Sequence, residues 1–165
     1  MAILLAEVGL LPLSILLGTD CRSEAVVQAC AGLYSAAAVG PLPPGIRRKY
    51  FVPTGGAGTG FWQLIEPLRR QTRWAVADLA KGIAEGPWDV VLWRNLAIYL
   101  NPEAVENLWN RVAEALAPGG FLIVGKAERP PAGLGLVPVC RCIYRKENRT
   151  CRQGRQDART TREEV

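Results

Sequence analysis

An α/β fold, built on a mostly parallel sheet with helices on both faces, is predicted for this 165-residue chain. Three observations carry the prediction. Apolar runs closed by polar residues, Ile15 to Asp20 and Val90 to Asn95, read as buried strands. Segments with apolar residues at helical spacing follow both. A Pro118-Gly119-Gly120 turn then leads into a third apolar run, Phe121 to Gly125. In open sheets of this kind ligands bind just past the carboxyl ends of the strands. Arg94-Asn95, directly after Val90-Val91-Leu92-Trp93, therefore marks a candidate binding edge.

The first eighteen residues are strongly apolar, but no Lys or Arg precedes Arg22, and Glu7, Gly9 and Pro12 interrupt the run. A signal peptide needs a basic start, and a spanning helix about twenty clean apolar residues. The expected structure is a helix ending near Val8, a turn from Gly9 to Pro12 and a buried strand from Leu13, with no membrane insertion. Asp20 closes that strand. Such an Asp can accept hydrogen bonds from ribose hydroxyls or cap the helix expected from Ser23 to Leu33.

Pro41 to Pro44 breaks the chain. Gly55 to Gly60 invites a phosphate-loop reading, but it leads into a strand-like run, Phe61 to Pro67, and no Lys-Ser or Lys-Thr follows. A hairpin tip is expected instead. Arg73 to Leu79 reads as another sheet strand, with Asp78-Leu79 at its carboxyl end. There an acceptor beside an apolar residue can take an adenine amino group and cover the ring, or Asp78 can start a turn. Asn101 is placed to cap a helix carrying Pro102 at its first position and Glu103 in its first turn. Val105, Leu108, Trp109, Val112 and Leu116 share that helix's core face, and the Pro-Gly-Gly is expected to end it. Val137 to Tyr144 would form a last edge strand or hairpin arm, with Cys140 and Cys142 on one face.

The net charge of +5 is concentrated at the carboxyl end. Residues 145–165 hold seven Lys/Arg against four Asp/Glu, and the other 144 hold thirteen against eleven. Most of the net charge thus lies from Arg145 to Val165, whose part over 147–165 is a polar tail expected to be disordered, so no nucleic-acid partner is expected. The chain has no histidine, which excludes Ser-His-Asp and Cys-His catalysis and His-ligated metal sites. Five cysteines without a Cys-x-x-Cys pair read as buried thiols of a reducing, cytoplasmic setting, and no metal is expected.

Gly18-Thr19-Asp20, Ala31 to Ser35, Arg47-Arg48-Lys49-Tyr50-Phe51, Trp93 to Leu100, Pro118-Gly119-Gly120 and Ile143 to Lys146 together resemble the CheR family of chemotaxis protein methyltransferases over residues 1–146. The resemblance implies the Rossmann-like fold of a class I methyltransferase with S-adenosyl-L-methionine as cofactor. It implies a small antiparallel β insert at about 50–67 and methylation of glutamates on the cytoplasmic domain of a methyl-accepting chemoreceptor or related signalling protein. By the same resemblance Asp20 holds the ribose, Asp78 and Leu79 meet the adenine, Arg94 and Asn95 line the methionine end, and Tyr99 lies near the transferring methyl, so Tyr99 and Arg94 are the catalytic candidates. The insert would resemble one that docks a receptor peptide in some members.

Met1 to Glu7 resembles the helix after the family's glycine-rich cofactor loop. That loop, the strand before it and an amino-terminal helical domain are thus expected to be missing. The strands ending at Asp20 and Trp93 would then lose a partner or pair with each other, and substantial catalysis by the chain alone is not expected. The family's Gly-His-Ser-Glu stands here as Gly125-Lys126-Ala127-Glu128. Two other readings compatible with the sequence are a non-catalytic binding module in chemotaxis-like signalling and a methyltransferase for another protein or a small molecule.

Overall fold

The computed structural model describes residues 1–55, 60–79, 82, 86–97 and 100–148. It forms two compact units, Met1–Asp78 and Leu79–Val165. Parallel strand pairs with helices packed on them realise the expected α/β class.

In the first unit, helix α1 (Ala2–Glu7) leads through a 3-10 turn (Leu11–Leu13) to strand β1 (Leu16–Asp20). The strand begins three residues later than expected, because Pro12 at the start of the 3-10 turn holds Leu13 out of extended backbone. Among the described residues no helix is long and apolar enough to cross a membrane. Helix α2 (Ser23–Ala31) stops at Gly32, which takes the left-handed conformation, so Leu33 belongs to the next strand and not to the helix. Strand β5 (Thr72–Val76) pairs parallel with β1, Asp20 opposite Val76. Helix α2 packs on this pair.

A separate three-stranded sheet has β4 (Phe61–Leu64) between β2 (Leu33–Ser35) and β3 (Phe51–Thr54), antiparallel to both. The strands flanking the glycine run thus pair as a hairpin; its tip, 56–59, lies outside the described residues. Pro67, expected to close a strand, instead sits in the first turn of α5 (Glu66–Gln71), where its missing N–H costs nothing.

Helices α3 (Ala36–Val39) and α4 (Pro44–Tyr50) follow β2. They bury Val39 and Tyr50 with Phe51 and Leu68 in a small core. Glu7 ties α1 to α4: its Oε1 accepts from Lys49 Nζ at 2.7 Å and from Tyr50 Oη at 2.6 Å. Lys49 and then Tyr50 hold the Glu7 carboxyl below its ordinary value.

In the second unit β6 (Trp88–Trp93) pairs parallel with β7 (Leu116–Val124), and the sheet runs β6-β7-β9-β8 with β8 (Leu136–Cys140) and β9 (Ile143–Lys146) as a closing hairpin. Between β6 and β7 lies α6 (Pro102–Ala115), capped as expected by Asn101, whose Oδ1 accepts from Ala104 N at 2.8 Å. Leu108, Trp109 and Val112 of α6 pack with Trp93, Leu116, Leu122 and Val124. Trp93 stacks on Trp109, ring centroids 4.6 Å apart.

Pro118-Gly119-Gly120 does not end the helix. The helix passes into β7 at Leu116, and the three residues form an irregular stretch of that strand, between Leu116 opposite Trp88 and Phe121 opposite Val90. Gly120 is required there, since a Cβ would lie 2.9–3.1 Å from the carbonyl oxygens of Ala117, Trp88 and Asp89. Within the unit only one face of β6 is covered: Val90 is 41% and Leu92 51% exposed. The described residues give β1 only β5 as a strand neighbour and β6 only β7.

Cys140 ends β8 while Cys142 lies in the turn with φ 66°, so the two do not share a strand face. Cys21, Cys30 and Cys140 are exposed rather than buried. The tail from 149 onward lies outside the described residues.

Candidate functional site

Two carboxylates lie at the carboxyl edge of the parallel pair in the first unit. Asp20 is the last residue of β1, and its carbonyl accepts from Ala77 N at 3.0 Å. Asp78 is the next residue along that exit. The parallel register that sets Asp20 opposite Val76 thereby brings both acids to one edge.

Asp20 is already engaged locally. Its Oδ1 accepts from Arg22 N at 2.9 Å and Arg22 Nε at 3.2 Å, and its Oδ2 from Arg22 Nη2 at 3.4 Å. Of the two sequence readings of Asp20, the helix cap is not realised, since the residue before α2 is Arg22 and Asp20 accepts from Arg22 rather than from an N–H of the helix's first turn. The carboxylate stands at the strand edge, and it also steadies Arg22, the residue that precedes α2. Arg22, chiefly through its side chain and then its backbone N–H, holds the Asp20 carboxyl below its ordinary value. The Arg22 side chain is 72% and the Asp20 side chain 35% exposed. An ion pair that open to water is worth little and yields readily to a better partner.

In the second unit the chain leaves β6 through Arg94 and Asn95, both exposed. Asn95 takes the left-handed conformation, φ 59°, which Asn tolerates better than most residues. The segment is anchored by a residue whose importance the sequence did not reveal. Glu128 is only 3% exposed, and its carboxylate accepts five hydrogen bonds. Oε1 takes Trp93 Nε1 (3.0 Å), Leu96 N (2.8 Å) and Ala97 N (3.2 Å). Oε2 takes Asn95 N (3.0 Å) and Gly125 N (2.7 Å). Successive N–H groups around a left-handed residue form an anion-binding concavity, and here the chain fills it with its own carboxylate.

Burial pushes the Glu128 carboxyl up, but the N–H groups of Ala97, Gly125, Leu96 and Asn95 outweigh it and hold the group below its ordinary value. Gly125 makes the approach possible. A Cβ there would lie 2.6 Å from Glu128 Oε2 and 2.9 Å from Asn95 Oδ1. The available signal was an acid three residues beyond the glycine that closes an apolar strand. Without the tertiary fold, such an acid looks like any polar turn residue.

The structure thus brings Asp20 and Asp78 to one edge and sets Arg94 and Asn95 at the end of β6. Leu79 packs against the core of the second unit. Tyr99 lies outside the described residues. Carboxylate acceptors suit the ribose diol and the adenine amino group of S-adenosylmethionine, and a guanidinium donor such as Arg94 suits its carboxylate. Each unit thus carries side chains whose chemistry suits a part of that cofactor.

Residues 1–135 match the family described as CheR methyltransferase, SAM binding domain. The chain belongs to this family, whose methyl donor is S-adenosylmethionine. It is 32% identical over 122 residues to the chemotaxis protein methyltransferase of Vibrio parahaemolyticus, covering 73% of this chain and 43% of that protein. Against the chemotaxis protein methyltransferase of Listeria innocua it is 27% identical over 133 residues, 79% of this chain and 49% of the relative. The chain thus spans about half the length of these relatives or less. Among solved structures, the N-methyltransferase NodS from Bradyrhizobium japonicum WM9 aligns with a TM-score of 0.45 and 12% identity, over 80% of this chain and 73% of that one.

Proposed function

We propose that this chain is the cofactor-holding part of a protein-glutamate O-methyltransferase of the chemotaxis type, acting in the cytoplasm on the cytoplasmic domain of a methyl-accepting chemoreceptor. The observation that carries the reading is the pair of acids, Asp20 and Asp78, at one carboxyl strand edge in a chain of this family. In this reading Asp20 exchanges its exposed Arg22 partner for the ribose hydroxyls. Asp78 accepts from the adenine amino group and Leu79 covers the ring. Arg94 pairs with the methionine carboxylate, Asn95 lines the same end, and Tyr99 orients the acceptor near the methyl. The cofactor supplies an activated methyl, and the protein aligns an already ionised carboxylate with it. A chain without histidine can do this, since no strong base is needed.

The test is incubation of the chain with methyl-labelled S-adenosylmethionine and a receptor cytoplasmic fragment, with the Vibrio parahaemolyticus relative assayed alongside. Label is expected on receptor glutamates as base-labile methyl ester. The rate should be below that of the relative, since the chain spans 43% of its length. Base-stable label, or no label above a protein-free control, would contradict the proposal.

A further inference from the structure

The parallel register of β6 and β7 ends with Trp93 opposite Val124. The chain therefore leaves both strands at one carboxyl edge, through Arg94-Asn95 and through Gly125-Lys126. Glu128 Oε2 joins the two exits, since it accepts from both Asn95 N and Gly125 N. The second exit is a tight turn with a fixed backbone. Glu128 N donates to the carbonyl of Gly125 at 3.2 Å. Arg129 Nη1 donates to the carbonyls of Lys126 (3.1 Å) and Glu128 (2.7 Å). Lys126 stands exposed on this turn.

The charges at this edge differ in how far they are engaged. The Glu128 carboxylate is filled by five N–H donors. Among the described residues, by contrast, neither the Arg94 guanidinium nor the Lys126 ammonium has a hydrogen-bond or ion-pair partner. Uncompensated positive charge of this kind draws carboxylates. In the cofactor reading given above Arg94 meets the methionine carboxylate, which leaves the charge of Lys126 for the acceptor. A glutamate that attacks the methyl forms an O–C bond as the S–C bond breaks, the sulfur keeps its electron pair, and the carboxylate loses its charge. An ammonium paired with that same carboxylate would stabilise the ground state more than the transition state and slow the step. The group that Lys126 can hold without this penalty is a second acid of the acceptor segment.

We infer that Lys126 is a specificity-determining residue for the acceptor: its ammonium, carried on the 125–128 turn, pairs with an acidic side chain next to the reacting glutamate, so acceptor segments with a second carboxylate are preferred. The inference rests on the methyltransferase reading and adds the charge pattern of the substrate, which that reading leaves open.

The experiment measures binding rather than turnover. The full chain, saturated with S-adenosylhomocysteine, is titrated calorimetrically with two receptor cytoplasmic fragments. In one the methylated glutamate is flanked by acids, and in the other those flanking acids are Gln. Lys126→Met and Lys126→Arg are titrated in the same way; Lys126 is exposed, so neither substitution disturbs the core. The unaltered chain is expected to bind the acidic fragment about fivefold more tightly, the upper end for an exposed ion pair. Lys126→Met should lose that preference and Lys126→Arg should keep it. Salt at about 0.5 M should erase it in every protein, because exposed pairs are screened. Affinity for S-adenosylhomocysteine should be the same in all three.

Equal binding of the two fragments by the unaltered chain, or a preference that survives in Lys126→Met, overturns the inference and leaves the methyltransferase reading standing. So does a fall in the variant's affinity for S-adenosylhomocysteine, which would make Lys126 a ligand of the cofactor instead. Failure of the unaltered chain to bind S-adenosylhomocysteine or either fragment overturns both.

Discussion

Gly125→Ala is expected to destabilise the second unit by about 3 kcal/mol, the upper part of the range for forcing an extra methyl into a packed site. The added Cβ would sit 2.6 Å from Glu128 Oε2, 2.9 Å from Asn95 Oδ1 and 3.2 Å from Asn95 N. The backbone of Asn95 cannot retreat without abandoning the hydrogen bonds from Asn95 N and Gly125 N to Oε2, the latter 2.7 Å long. Buried donors left unsatisfied cost about 1–3 kcal/mol each. Urea unfolding followed by tryptophan fluorescence measures the loss, since Trp93 stacks on Trp109 inside this core. A midpoint within error of the unaltered protein would show that the Glu128 cradle is looser than described.

Acid is expected to erode the stability of the same unit more steeply than in a protein without this carboxylate. The folded-state pKa of Glu128 is lowered, so its contribution is present above the ordinary glutamate value and is lost as pH falls through the folded one. In that window the unfolded state binds the extra proton, and stability rises with pH. A protonated Glu128 has one oxygen turned donor, which faces the N–H groups that hold the anion. The thermal midpoint should therefore fall as the pH drops below the ordinary glutamate value of about 4.3. Glu128→Gln should be less stable at neutral pH and show a flatter profile across that range. Identical slopes for the two proteins would remove Glu128 as the cause. Glu7 and Asp20 are also lowered, but both lie in the first unit in solvent-exposed pairs, where such terms are small.

The sequence made the elements with local signals readable and hid those set by long-range packing. Asn101-Pro102-Glu103 announces the start of α6 in three residues, and the apolar run before Arg94 gives β6 its end. The strand edge at Asp20 was equally legible, because an acid directly after an apolar run marks where a strand leaves the sheet. The Pro118-Gly119-Gly120 stretch misled because its usual use is to stop a helix. Here the carbonyls of Trp88 and Asp89, some thirty residues away, decide that Gly120 must lie within a strand. Pro67 misled in the same way: proline ends a strand or starts a helix with equal ease, and the turn at Ile65 settles which.

Glu128 was the least legible residue of the site. Its five donors come from Trp93, Asn95, Leu96, Ala97 and Gly125, four of them about thirty residues upstream, and no local pattern announces such a partner. Strand alternation puts Cys140 and Cys142 on one face only if the strand runs through both, whereas a turn at Arg141-Cys142 divides them.

The central claim is that this chain holds S-adenosylmethionine through Asp20, and one titration addresses it most directly. S-adenosylhomocysteine is titrated calorimetrically into the 165-residue chain and into Asp20→Ala, with the thermal midpoint of each protein recorded. Micromolar binding is expected for the unaltered chain. In the variant it should weaken by about 10- to 100-fold, the worth of hydrogen bonds to a charged acceptor, at a midpoint little changed because the Arg22 pair is exposed. A folded chain that gives no heat, or an Asp20→Ala variant that binds as tightly as the original, would contradict the account.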